Sequence, residues 1–214
     1  MQSNRLLLNI EKTYSILFTN RPNEIIHNMT VQINEKIIPF ENHLKFLGII
    51  LDKKLTYEHH INHIIGKLSK TIGIFYKLRY NAPKHVLVSL YYSLIYPYLI
   101  YGNLIWGNTY QTYINKIFLL QKKVIRIIAL ENFRAHTNPI FLECKILKIQ
   151  DICKYNLAIY AFKQNLNSNL ETRTHNYGTR GQNSAVPAFR RLASTQRSLS
   201  YSAPTVWNSL PSEV

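Results

Sequence analysis

The chain has 214 residues, 46% of them hydrophobic, enough for one large domain or two small ones around a sizeable core, which excludes wholesale disorder. Its 26 Lys and Arg against 11 Asp and Glu leave a formal net charge of +15. That balance favours a polyanionic partner, usually nucleic acid and less often an anionic membrane. In chain order, residues 6–18 (LLLNIEKTYSILF) read as a helix end followed by a strand over 14–18. Residues 30–38 alternate, with Val31, Ile33 and Ile37 apolar and Gln32, Asn34 and Lys36 polar, which predicts a small hairpin turning at Asn34-Glu35. Residues 44–51 (LKFLGIIL) read as a further strand, with Gly48 permitting a bulge or a close approach.

After Asp52 the apolar period changes from two to 3.6. Thr56 is the expected N-cap of a helix whose inner face carries Ile61, Ile64, Ile65, Leu68, Ile72 and Phe75, with Lys67, Lys70 and Lys77 on the opposite side. Pro83 at a first-turn position starts the next helix. That helix covers residues 86–106, a run of 21 without a charge and long enough for a bilayer. Tyr91, Tyr92, Tyr96, Tyr98 and Tyr101, together with Pro97, favour instead a buried helix kinked at Pro97 and ending between Gly102 and Gly107. A third helix is expected over 112–129, with Ile114, Ile117, Phe118, Val124, Ile125 and Ile128 inside and Lys116, Lys122, Lys123 and Arg126 outside. One or two more helices are expected over 139–147 and 149–164. Residues 167–196 are rich in Ser, Thr, Asn and Arg without a period and read as an extended or partly disordered basic tail, whose last segment, 201–210, regains apolar anchors that can dock back.

Catalytic candidates are scarce. The sequence has two aspartates, Asp52 and Asp151, 99 positions apart, and its glutamates are scattered singly. Two-metal phosphoryl or nucleotidyl transfer needs clustered carboxylates, so the chain is not expected to work as an enzyme in its own right. Asp52 reads as a surface turn or ion pair and Asp151 as a helix N-terminal residue. His59 and His63, four apart on a helix, have metal-ligand spacing but no completing set, because Glu58 points elsewhere; a polar helix start is the expectation, with no metal and no cofactor. Cys144 and Cys153 form neither a zinc motif nor a disulfide framework and read as reduced core residues. No signal-peptide pattern opens the sequence, so an intracellular location, cytoplasm or nucleus, is expected. Between residues 43 and 130 there are 12 Lys and Arg against Asp52 and Glu58 alone, and the stripes on two helices could track a phosphate backbone. Lys67, Lys70, Lys77, Lys122, Lys123 and Arg126 are the candidate phosphate contacts.

The ordered segments 6–18, 45–61 (KFLGIILDKKLTYEHHI), 93–107 (SLIYPYLIYGNLIWG) and 114–128 (INKIFLLQKKVIRII), with the terminal YGTRGQNSAVPAFRR and YSAPTVWNSLP, resemble the part of non-LTR retrotransposon reverse transcriptases that follows the catalytic motif, the jockey-like elements above all. The resemblance implies that residues 1–55 are the end of the palm and the primer-grip-like strands. Residues 56–165 would be a helical thumb-like bundle lying along the template–primer duplex, and residues 166–214 a tail. It puts Lys12 in the place of a lysine that assists nucleotide addition, vestigial without aspartates and metals. Phe46, Leu47 and Gly48 fall at the centre of the hairpin that grips the primer end. The catalytic aspartates of the family would precede Met1, and the absent palm and fingers would be the natural packing partner. The expected fold is therefore α+β and mostly α: a small β-hairpin region, a bundle of four or five helices and an irregular tail. The expected function is that of a non-catalytic reverse-transcriptase fragment with residual binding to the template–primer nucleic acid. The alternative is a domesticated helical protein-interaction module.

Overall fold

A computed structural model describes residues 8–19, 30–33, 35–166, 184–187 and 189–210. Residues 6–7, Asn34 of the expected turn and residues 167–183 of the expected tail lie outside them. The chain divides into two compact units, Met1–His63 and Ile64–Val214.

The first unit is built from short pieces. Ile10–Lys12 make a single 3-10 turn, with the Asn9 side chain accepting from the Lys12 N–H. The strand expected over 14–18 is reduced to one bridge, Ser15 with Phe40, held by Ser15 N–H to Pro39 O and Glu41 N–H to Ser15 O. Pro39 has no N–H for the preceding rung, so the ladder cannot lengthen on that side. Strands β1 (Val31–Ile33) and β2 (Lys36–Ile38) form the expected hairpin, in the register Val31 to Ile38.

Residues 44–51, expected as one strand, are instead a second hairpin of β3 (His43–Phe46) and β4 (Ile49–Asp52). Its loop is Leu47-Gly48, both at positive φ (44° and 85°). Two such residues give the primed turn whose twist matches that of paired strands. Gly48 therefore makes a turn, not a bulge, because only a residue that tolerates positive φ can reverse the chain there.

The link from β4 to the first helix is organised by Asp52. Its Oδ2 accepts from the Lys54 and Thr56 N–H groups and from Thr56 Oγ1, and its Oδ1 accepts from the Tyr57 N–H at 2.7 Å. The carboxylate is buried within this loop, not a surface ion pair. Thr56 is drawn into the same network and its Oγ1 also accepts from the N–H of Glu58, where helix α1 (Glu58–Leu78) starts. The inner face of α1 is as expected: Ile61, Ile64, Leu68, Ile72 and Phe75 are buried.

In the second unit the uncharged stretch becomes three helices, α2 (Lys84–Leu94), α3 (Tyr96–Ile100) and α4 (Asn103–Trp106). Pro83 precedes α2 as its N-cap. The helix is divided at Ile95, not merely kinked, because Pro97 cannot supply the N–H that would continue the ladder. Leu87, Tyr91, Ile95, Leu99 and Trp106 are buried, and among the described residues no helix is long and apolar enough to cross a membrane. Trp106 Nε1–H donates to Tyr101 O and Asn103 Nδ2–H to Leu99 O, which ties the YGNLIW turn to the backbone of α3 and its end.

Helix α5 (Gln111–Ile128) packs on α2, α6 (Thr137–Glu143) and α7 (Ile149–Leu166). Helix α7 also meets α3, α4 and α9 (Leu199–Asn208), with the one-turn α8 (Ala193–Gln196) just before α9. The tail is thus helical at its end. It docks on α7 through Ser202, Ala203 and Pro204, with the Trp207 and Phe162 rings 6.1 Å apart. The Asn208 amide exchanges two hydrogen bonds with the backbone of Ala185. The fold class is α+β and mostly α.

Candidate nucleic-acid interface

The six cations singled out by periodicity are not equivalent in space. Lys67, Lys70 and Lys77 are exposed on the outer face of α1, and none has a carboxylate partner among the described residues. Glu58 is the single acid on α1, and α5 has none. Gly66, just before Lys67, and Gly73, between Lys70 and Lys77, lie in open space, with nothing within 4 Å of an added Cβ. At ~100° per residue Gly66, Gly73, Lys70 and Lys77 share an arc of about 60°.

On α5 the cations are engaged by neighbours. Lys122 Nζ lies 4.5 Å from the Phe118 ring, which stacks on Phe141 of α6. Arg126 Nε–H donates to Ala135 O at 2.9 Å, tying α5 to the segment before α6. Lys123 alone turns towards α1, with Nζ 5.4 Å from the Tyr76 ring. Beyond the end of α1, Arg79 Cζ sits 4.8 Å over the ring of Tyr80, which is 78% exposed.

In the first unit, Phe46 and Leu47 stand 58% and 74% exposed at the tip of the β3–β4 hairpin, an apolar pair held forward by the primed turn at Gly48. Lys12 is exposed at the end of its 3-10 turn. His59 stacks on His43, ring centroids 4.5 Å apart, while His60 is buried and its Nδ1 accepts from the Ile50 N–H. Burial, and secondarily His63, lower the His60 pKa to about 4. Among the described residues no group of three His, Cys, Asp or Glu could hold a metal ion.

Three features have roles that periodicity did not reveal. Asp52 is a loop organiser. Gln121, fully buried, donates from Nε2 to Tyr91 Oη and Leu147 O and accepts the Ile149 N–H at Oε1, joining α2, α5 and the start of α7. The signal was available, because Gln121 falls in the middle of the apolar arc of α5, where a polar side chain needs buried partners. Tyr76 and Tyr80 are the third feature, visible only once the cations above them are located. Cys144 and Cys153 are buried thiols, and burial pushes Cys153 up to about 11.

The chain is 27% identical over 190 residues, 86% of its length, to the RNA-directed DNA polymerase from mobile element jockey of Drosophila melanogaster, and equally to that of Drosophila funebris. It spans about a fifth of the length of these curated relatives. No family model matches, and no solved structure matches. The similarity runs through both units, so the chain is similar to a region of these RNA-directed DNA polymerases.

Proposed function

We propose that this chain is a non-catalytic, nucleic-acid-binding part of a retrotransposon RNA-directed DNA polymerase, with the outer face of α1 tracking the backbone of a template–primer duplex. The observation that carries this reading is the pairing of three lysines without carboxylate partners among the described residues and two helical glycines in open space. A mid-helix glycine costs roughly 0.5–1 kcal/mol relative to alanine. Nothing inside the fold requires Gly66 or Gly73. A polyanion lying close against the helix does: smooth backbone lets it approach, and Lys67, Lys70 and Lys77 neutralise its phosphates.

Residues 1–55 act in this reading as palm end and primer-grip-like strands, 56–165 as the thumb-like bundle and 166–214 as a basic tail. The exposed Phe46-Leu47-Gly48 tip suits contact with a strand end. The Asp52 carboxylate is occupied by four loop donors, and Asp151 lies far along the chain at the start of α7, which supports the absence of nucleotidyl transfer by this chain alone. Lys12 then has no chemistry to assist. The polymerase's remaining palm and fingers would be its protein partner.

The test is duplex binding by fluorescence anisotropy across a salt series. The Lys67→Ala, Lys70→Ala, Lys77→Ala triple variant should lower the salt slope by about 2–3 on an RNA–DNA hybrid, at roughly 0.9 per phosphate contact. An unchanged slope and affinity would sink the reading and favour the protein-interaction alternative.

A further inference from the structure

We propose that Tyr76 and Tyr80, at the C-terminal end of α1, form a stacking site for unpaired bases, so that the chain holds a single-stranded extension beside a duplex. This rests on the nucleic-acid reading of α1 and adds a second, chemically different contact to it. Tyr76 lies in the last turn of α1 and Tyr80 in the turn that follows it, and they are 45% and 78% exposed. Exposed tyrosines scattered singly need no explanation. Each of these two rings already carries a cation on one face, as Tyr110 and Tyr113 do elsewhere, and these two adjoin the lysine face of α1: Lys123 Nζ is 5.4 Å from the Tyr76 centroid and Arg79 Cζ 4.8 Å from that of Tyr80.

A ring so arranged has a second face for a planar base, and the cation beside it meets the adjoining phosphate. Neither Lys123 nor Arg79 has a carboxylate partner among the described residues, and no acid lies on α5 or on α1 after Glu58. The positive charge is therefore uncompensated where the rings are. A paired duplex buries its base faces in its own stack, so these rings can engage only unpaired nucleotides. Lys77, next to Tyr76 in sequence, joins this site to the lysine face of α1.

The experiment compares two probes with the full chain at one salt concentration: a blunt RNA–DNA hybrid and the same hybrid carrying a short single-stranded overhang. The overhang should raise affinity about tenfold, since stacking on an aromatic ring is worth roughly 5- to 100-fold per base. The Tyr76→Ala, Tyr80→Ala double variant should lose that gain and keep blunt-duplex affinity within about twofold, while the double Tyr→Phe variant retains it. No gain from the overhang, or a gain that survives the double alanine variant, overturns the proposal. The lysine triple variant separates the two readings. If it leaves blunt-duplex binding unchanged while the tyrosine-dependent gain persists, the duplex face is wrong and the stacking site stands. If it weakens the blunt duplex while the overhang adds nothing, the reverse holds.

Discussion

Helices α1 and α5 look alike as sequences, each an amphipathic run with a lysine-rich outer stripe, yet the folded chain treats their cations differently. On α1 the lysines face outward beside bare glycine backbone. On α5 Lys122 lies over Phe118, Lys123 over Tyr76, and Arg126 holds the carbonyl of Ala135. The helix also carries a glutamine in the middle of its buried face. A charged stripe thus says where solvent or a partner lies, and not whether the charges are already committed. In the proposed reading α1 contributes binding, while α5 contributes the joint between helices.

The strongest way to break that contrast is at Gln121. Gln121→Leu would strand Tyr91 Oη and the Ile149 N–H in the interior and release the part-buried Leu147 O, each buried unsatisfied group costing about 1–3 kcal/mol. A loss of about 3 kcal/mol in urea unfolding at neutral pH is expected. A loss under 1 kcal/mol would remove α5's claim to be the joint.

An intermediate effect belongs to the buried side of α1. His60 is neutral in the fold, its pKa lowered to about 4 by burial and by His63. The unfolded chain titrates near the ordinary histidine value of roughly 6.5 and binds more protons below it. Stability contributed by neutral His60 is therefore fully present above that value and is lost as pH falls towards 4. Unfolding at pH 7 and pH 4.5 should differ by on the order of 2 kcal/mol from this residue. His60→Gln should flatten that part of the profile; an unchanged slope would count against it.

The smallest effect sharpens the contrast most. Gly66→Ala and Gly73→Ala should each raise stability by up to about 1 kcal/mol, because no atom resists the added Cβ. They should also weaken duplex binding. A stabilised helix with unimpaired binding would show that the glycines serve no close approach.

Much of the architecture was legible in the chain. The change of period after Asp52 located α1, and the inner faces of α1 and α5 are the residues that periodicity selects. The β1–β2 hairpin followed from alternation. The rest depended on partners distant in sequence. Residues 14–18 looked like a strand, but they make one bridge, Ser15 with Phe40. Residues 44–51 alternate too weakly to show that Leu47-Gly48 is a turn, which pairing of Phe46 with Ile49 makes plain. The tail's last segment becomes a helix because α7 offers it an apolar face.

By itself the sequence determined where the two amphipathic helices α1 and α5 lie and most of their buried faces, the large positive charge and the likeness to a reverse transcriptase, because each of these is written in local spacing, composition or order. Only the tertiary structure decided that the uncharged run breaks at Ile95, that Asp52 serves a loop and that α1 rather than α5 leaves its lysines uncommitted. The reason is physical: a hydrogen bond or a cation–ring contact joins residues that no local period relates, so its existence depends on where the chain returns.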